Sequence, residues 1–467
     1  MKPALTQKLI KQYWKKANHR LCFDKQNNMT QAGYYKQNLK LAIPIMLSSL
    51  GQSLVQMVDT LMVGRLGTTS LAGISFAGSL VINAMVIGFG FAMALTPLVG
   101  QSYSRKDTKR ISTLVQNSLL LNTLIAIALV GVLLALMPFL QYFGQDKEVI
   151  SVCKPYYFVV TLSFVPMMIF LAFKQFLEGI DNTKAAMAIT IASNILNIIL
   201  NYVLIYGKFG FPHLGLTGAG VATFISRFLM PIAIFVYIKE HRSYSQYLKL
   251  FSVRGFSAHI NRILLSTGLP IAVQMFVEMF ALLAVTIMMG WISSTHLAAF
   301  QIVNTMISTT FLAASGICSA TTVLVSHAFG VKNKKEIKKH FYSGWNMVIV
   351  IMGTVALIYI FLGRYIASLF SDDVQVISVA TSLFVVAGFF QLFDGTQVSG
   401  LAGLRGMNDV AKPMIYAIVV YFFIAVPIAY LFGFVFCFPA WSIFSSFLIA
   451  LALAGFLYHR RFYLMNK

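Results

Sequence analysis

Three carboxylates stand where the surrounding sequence makes them expensive. Asp394 lies in FFQLFDGTQVSGLAGLRG (389–406), Asp59 in SLVQMVDTLMVG and Glu278 in PIAVQMFVEMFALLAV, each inside an apolar run. A carboxylate at the centre of a membrane helix costs about 2.5–3.5 kcal/mol on insertion scales, so a segment that keeps one has a use for it. Only 14 of the residues are acidic, which makes three embedded ones a large share.

Amides surround these acids at helical spacing. Ser48, Gln52, Gln56 and Asp59 share a face, Gln274 precedes Glu278 by one turn, and Gln391, Asp394 and Gln397 form a third stripe. Gln301 with Asn304, and Asn194, Asn197 and Asn201, make two more. Such groups cannot be left facing lipid, so they point toward partners or water. Interhelical hydrogen bonding is the plainer use, and it suits the asparagines best.

Asp394 and Glu278 belong to one half of the chain, which makes a shared site reasonable. Carboxylates, amides and carbonyls are the ligands of a hard cation such as Na⁺. Burial also favours a protonated carboxyl, so the same residues could carry a proton instead; both readings stand. Lys174 and Arg227 are expected to snorkel or pair locally, and Glu178 and Arg405, at equivalent helix ends, to make gate contacts. Met275, Phe276, Met279, Phe280, Phe389, Phe390 and Phe393 could wall an adaptable pocket for flat lipophilic cations, ordinary packing being the alternative.

The elements that must hold these residues are membrane helices. The 467 residues are 58% apolar and 11% charged, against about 25% charged in soluble domains. Twelve apolar spans fit a bilayer of about 30 Å: 41–63, 71–97, 114–137, 156–177, 186–206, 217–238, 263–290, 297–324, 345–368, 378–401, 414–436 and 440–459. No strand periodicity competes with them.

The net charge of +22 forms no continuous basic domain, which argues against a nucleic-acid partner. It is distributed as the positive-inside rule requires: 30 Lys and Arg fall on the side of the N-terminus and five (Arg65, Lys147, Lys154, Lys208, Arg364) opposite, with Arg227 inside a span. Both termini are therefore expected in the cytoplasm, in the inner membrane. Residues 1–40 read as a basic cytoplasmic extension without a signal-peptide apolar region. Within it, Leu5, Leu9, Ile10, Tyr13, Trp14 and Ala17 could form a surface helix, a basic tail being the alternative. Cys22, Cys153, Cys318 and Cys437 are scattered, so neither a disulfide framework nor zinc is expected.

An internal repeat organises the spans. The segment from Gly64 overlays that from Gly290 at an offset of 226, pairing Leu71 with Leu297, Ala72 with Ala298, Gly90 with Gly316 and Lys106 with Lys332. Leu177-Glu178-Gly179 overlays Leu404-Arg405-Gly406 at 227. Six spans return the chain to the same side, so the halves are parallel repeats about an axis along the membrane normal. The expected fold is an all-α polytopic membrane protein: an N-lobe over 41–238, a linker over 239–262, a C-lobe over 263–460 and a tail over 461–467.

VDTLMVGRLGTTSLAGIS (58–75), FLEGIDNTKAAMAITIASNILNIILNYVLIYGKFGFPHLGLTGAGVAT (176–223) and GLRGMNDVAKP (403–413) resemble the multidrug and toxic compound extrusion (MATE) transporters. The resemblance covers roughly 38–460 in both halves. Glu278 in its segment, and Asp394 ten residues before LRG, are similar to the NorM-type branch. That resemblance implies a C-lobe cation site at Glu278 and Asp394, a coupling role for Asp59, and alternating-access export of cationic amphiphiles in exchange for Na⁺ or H⁺. Gln52, Gln56, Gln274, Phe276, Gln301, Asn304, Gln391, Gln397, Asn194 and Asn197 are the candidate cavity residues. The expected partners are small organic cations and the lipid bilayer, with no cofactor beyond the transported ion, and a monomer is expected. The alternatives are a lipid-linked saccharide flippase, a narrow-substrate metabolite exporter, and a channel. A membrane enzyme has no support, since HExxH, GxSxG and paired His/Asp motifs are missing.

Overall fold

A computed structural model describes residues 30–144, 146–252, 255–436 and 438–467. Among them, twelve helices are long and apolar enough to cross a membrane. They are α1 (Gln31–Gly64), α2 (Thr68–Ser104), α3 (Thr108–Phe143), α4 (Lys147–Gly179), α5 (Thr183–Tyr206), α6 (Gly215–Glu240), α7 (Ala258–Ile292), α8 (Ser294–Gly330), α9 (Lys334–Ser368), α10 (Val374–Gly406), α11 (Ala411–Val435) and α12 (Trp441–Asn466). Each expected span coincides with one of them to within a residue at the helix limits, and the chain is a multi-pass membrane protein. The possible surface helix over 5–17 falls outside the described residues, as do Cys22 and Cys437.

The helices outrun the apolar segments. Gln31–Lys40 belongs to α1 rather than to an extension, 258–262 to α7 rather than to the linker, and the tail through Asn466 to α12. A helix does not stop where hydrocarbon ends; polar side chains continue it through the headgroup layer. The linker is itself built in. Its short helix Arg242–Leu248 packs Tyr247 into the N-lobe core, and α3 holds it by Ser112 Oγ to Tyr247 O at 2.7 Å and Asn117 Nδ2 to Gly255 O at 2.7 Å.

Backbone detail repeats between the halves. Lys106 and Lys332 both adopt φ 59°, and Asp181 and Asn408 adopt 67° and 62°. These left-handed non-glycine residues are uncommon, and they recur at the repeat offsets. After the two lysines the next residue caps a helix: Asp107 accepts from Arg110 N at 3.0 Å, and Asn333 from Glu336 N at 3.2 Å.

Two separate cores fill the lobes, one around Phe164, Phe170 and Phe176 and one around Phe384, Phe444 and Tyr421. The lobes exchange the terminal halves of their first helices. Leu41 and Ala42 of α1 pack with Ile317, Val323 and Met352 of the C-lobe, while Leu264 of α7 joins the N-lobe core. The exchange is pseudo-symmetric. Gly316 admits Met46 and Gly90 admits Ala272, with no room for a Cβ at either glycine, and the two contacts are related by the repeat offset.

Helices α2 and α4 break at Met93–Ala94 and at Ser163. Pro97 and Pro166 explain both breaks: each lacks the N–H that would reach residue i−4, and its ring presses on that carbonyl.

Candidate functional site

Two polar clusters lie one in each lobe. In the N-lobe, Asp59 of α1 accepts a hydrogen bond from Asn201 Nδ2 of α5. With its amide turned nitrogen-inward, Asn197 donates to Asp59 at 3.0 Å and accepts from Thr223 N at 3.3 Å. Arg227 of α6 lies close enough to Asp59 and Tyr156 for charge to be felt. Its Nη1 donates to Ser163 Oγ at 2.9 Å. Ser163 is the residue at the α4 break, so the proline-induced interruption supplies the acceptor. Arg227 therefore points inward instead of snorkelling; Thr223, Arg227, Met230 and Ile234 make the inner face of α6, and Phe224, Phe228 and Phe235 line an apolar groove on its other side.

In the C-lobe, Glu278 of α7 and Asp394 of α10 interact electrostatically with each other, and Glu278 with Arg405, Tyr421 and Tyr458. Asp394 is buried and Glu278 is partly open. Arg405 turns inward from the end of α10, donating from Nη2 to Gln274 Oε1 at 3.2 Å. Gln391 Nε2 donates to Thr310 Oγ1 of α8 at 2.7 Å. Nε2 of buried Gln274 lacks a partner among the described residues. Unsatisfied polar atoms at membrane depth mark a place for water or a ligand. No three His, Cys, Asp or Glu among the described residues converge as a transition-metal site requires.

The remaining candidates divide between these clusters and an exposed stripe. Gln301, Thr305 and Thr309 of α8 are exposed, as are their repeat mates Ser75, Ser79 and Asn83 of α2. Each hydroxyl, and Asn83, bonds back to the carbonyl four residues earlier, as in Ser79 Oγ to Ser75 O at 2.8 Å and Thr309 Oγ1 to Thr305 O at 2.9 Å. Polar side chains exposed within membrane helices belong in water, and the two stripes occupy equivalent positions in the two lobes. Half-buried Gln52, the repeat mate of Glu278, and exposed Gln56 lie on α1, and half-buried Asn304 on α8. Asn194 packs against Gly51 with its amide nitrogen buried and unpartnered. Phe276 sits elsewhere: it is exposed on another face of α7, stacked on Phe280 with centroids 6.3 Å apart.

The half of the bundle carrying both described ends is sealed by cross-lobe bonds. Gln101 Nε2 donates to Gly406 O at 3.2 Å, and His327 Nε2 bonds Gly179 O at 2.9 Å. Gln101 and His327 are repeat mates, and so are Gly179 and Gly406, making this one latch applied twice. Gly100 meets its own mate Ser326 across the pseudo-axis. Arg105 Nε donates to Gly330 O at 2.7 Å, and Tyr34 OH to Glu336 at 2.8 Å. The gate expected from Glu178 and Arg405 is therefore made one residue later, by glycine carbonyls. Glu178 pairs with Lys174 in its own helix at 3.8 Å, and Arg405 belongs to the interior cluster. The cross-lobe hydrogen bonds among the described residues lie in this half, and none joins the lobes at the opposite face.

Sequence patterning placed the acids and amides but missed Arg227, Arg405, Tyr156, Tyr421 and Tyr458 as cluster members. The i, i+4 spacing of Ser75, Ser79 and Asn83 was an available signal for the α2 stripe.

The family model MatE matches residues 44–203 and 270–431, once in each half. A probable multidrug resistance protein NorM from Photorhabdus laumondii is 28% identical over 397 residues, covering 85% of this chain and 87% of its own. Another of that name from Rhizobium meliloti is 29% identical over 444 residues, covering 92% and 93%. The solved structure of a MOP-superfamily transporter from Pyrococcus furiosus superposes with a TM-score of 0.82 at 19% identity, covering 93% of this chain and 96% of its own.

Proposed function

The chain belongs to the MatE family, and from that premise we propose that it exports small amphiphilic organic cations in exchange for Na⁺ or H⁺. The observation that carries this reading is the charge balance of the C-lobe cluster. Glu278 and Asp394 lie within electrostatic reach of each other and only Glu278 is within reach of Arg405, so Asp394 has no basic partner in a low-dielectric, partly open site. One cation at a time satisfies that carboxylate, so an inorganic ion and an organic cation compete for it. The relatives' names, multidrug resistance proteins, agree with such a cargo.

Exchange requires each ligand to favour one of two conformations. The state described here is sealed by the glycine-carbonyl latch on the face of the termini. The balance of basic residues argues that this face is cytoplasmic, which makes the state outward-open, in an inner membrane. A coupling cation arriving from outside settles on Glu278 and Asp394 and displaces the organic cation toward the cleft mouth. Its release on the other side vacates the carboxylates for the next molecule. Asp59, held by Asn201 and Asn197, serves the same cycle from the N-lobe. Two lobes within one chain complete the cleft, so a monomer suffices.

A flippase for polyanionic lipid-linked sugars would need surplus positive charge. Here Asp59, Glu278 and Asp394 outnumber Arg227 and Arg405, so that alternative draws no support from the cleft.

Competition in the purified protein tests the reading. Binding of a fluorescent organic cation is expected to weaken as Na⁺ or H⁺ rises, and Asp394→Asn and Glu278→Gln to remove that competition. Dye binding that ignores both ions, or competition that survives both substitutions, would defeat the assignment.

A further inference from the structure

The sealed face holds a small polar cavity that the exchange of cations does not use. About 270 Å³ in volume, it lies between Lys40 and Leu41 of α1, the turn and first residues of α5 at 180–184, and Tyr244 of the linker helix. Drug-sized pockets run to roughly 300–1,000 Å³, so this one suits a headgroup-sized ligand better than a cargo molecule. Lys40 and Lys184 supply two positive charges, and neither forms an ion pair among the described residues. The one carboxylate in the lining, Asp181, lies 3.7 Å from His327 Nδ1 of the latch. Lys40 stands one residue before the apolar run of its helix and Lys184 two residues before that of its own, which sets both at headgroup level.

The two lysines are packed with different lobes. Around Lys40, α1 is fastened to the C-lobe: Tyr34 OH donates to Glu336 at 2.8 Å, Asn38 Nδ2 donates to Thr321 Oγ1 at 2.9 Å, and Leu41 packs with Ile317 and Val323. Lys184 lies in the first turn of α5, in the N-lobe. Its neighbours are tied to α6, Asn182 Nδ2 donating to Tyr237 OH at 3.1 Å and the Tyr244 and Tyr237 rings lying 6.0 Å apart. The cavity therefore bridges the lobes, and parting them on this face would separate its two lysines.

The internal repeat places the same elements together in the C-lobe, without the lysines. Ser266 and Thr267 are the mates of Lys40 and Leu41, and 408–411 of 181–184. There the chain closes on itself directly. Thr267 Oγ1 donates to Asn408 Oδ1 at 3.1 Å, Asp409 pairs with Arg461 at 2.8 Å, and Val410 packs on Ala94 and Ile271. Ser266 and Ala411 stand where the N-lobe copy has Lys40 and Lys184. The positive-inside rule accounts for basic residues on this side; it accounts neither for a space between two of them nor for the break in the repeat.

We propose that this cavity binds a phosphate group between the Lys40 and Lys184 ammonium groups, and that the bound anion fastens the lobes together on the sealed face. Lysine takes phosphate as a point charge, and basic pockets between membrane helices on the cytoplasmic side accept anionic headgroups. An anionic phospholipid and a soluble phosphate ester carry the same group. Because the two lysines meet in the closed arrangement, the anion favours that conformation and raises its population. The effect is on the conformational equilibrium, whichever cargo or ion is exchanged.

Spin labels across the sealed face of the full chain in nanodiscs test this without a transport measurement. Discs of phosphatidylcholine alone are compared with discs that also contain phosphatidylglycerol, and with phosphatidylcholine discs given glycerol 3-phosphate. At least one of the two anions should raise the sealed-to-open ratio by about fivefold, the low end of typical couplings between sites. Lys40→Gln and Lys184→Gln should each remove the shift, whereas Lys335→Gln, exposed on the same face but outside the cavity, should leave it in place. A shift with phosphatidylglycerol alone identifies a lipid headgroup as the ligand; one with glycerol 3-phosphate identifies a soluble ester, and one with both identifies the phosphate group whatever carries it. No shift with either anion, a shift that survives Lys40→Gln and Lys184→Gln, or one lost equally in Lys335→Gln overturns the proposal.

Discussion

The three carboxylates have different neighbours. Asp59 is held by amides, whereas Glu278 and Asp394 share a site with one arginine and two buried tyrosines. Removing charge should therefore act differently in each lobe. Asp394→Asn removes the unpaired carboxylate that attracts a cation and should weaken organic-cation binding by about tenfold or more, consistent with loss of a charged partner. Asn201→Ala leaves Asp59 charged but strips a charge-assisted donor; transport should slow while C-lobe dye binding is retained, a split readable by comparing KM with turnover. Equal losses in both measurements would put Asp59 and the C-lobe acids in one site. The acids were legible in the sequence because a carboxylate in an apolar run is conspicuous. Arg405 was not, because it sits one residue from the end of α10, where an arginine ordinarily meets headgroups; only the fold turns it toward Gln274.

At the scale of the helix, packing is symmetric where the lobes cross. Gly90 meets Ala272 and Gly316 meets Met46 with no space for a side chain. Gly90→Leu and Gly316→Leu should each lower stability by about 1–3 kcal/mol through overpacking, seen as reduced Tm. Gly78, with nothing near its Cβ position, should accept alanine with a gain of about 0.5–1 kcal/mol. The latch gives a second forecast. Gln101→Ala or His327→Ala removes one of two equivalent cross-lobe bonds, each about 1 kcal/mol. Either should raise the population open on that face roughly fivefold, as measured by spin-label distances across it. Unchanged distances in the double variant would mean that the remaining contacts, Arg105–Gly330, Tyr34–Glu336 and Gly100–Ser326, suffice to seal the face. Helix number and order were legible from apolar run length. Helix ends were not, since polar residues extend helices into the headgroup layer. The breaks in α2 and α4 were signalled by Pro97 and Pro166, although Pro44 and Pro270 lie in uninterrupted helices, so proline alone does not locate a break.

For the whole molecule, the offset of 226 residues carries through from sequence to backbone dihedrals, caps, crossing glycines and latch. The repeat was therefore the most informative feature of the chain, and the sealed face is its consequence: pseudo-twofold mates meet where the axis leaves the bundle. Which face is sealed could not be read from the repeat, because a conformational state is a choice between two packings of the same helices. Orientation can be checked directly. A cysteine at Phe209, exposed in the α5–α6 loop, should react with an impermeant thiol reagent in intact cells, whereas one at Lys332 should react only after permeabilisation. The reverse pattern would invert the topology.

The central claim is that an inorganic cation gradient drives organic cations through this cleft. Its most direct measurement is flux of a fluorescent organic cation into proteoliposomes under an imposed Na⁺ gradient, and separately under a pH gradient, for the wild type and Asp394→Asn. The account predicts uphill movement driven by one of the two gradients and abolished by the substitution. Movement that only runs downhill, or uphill movement that persists in Asp394→Asn, would contradict it.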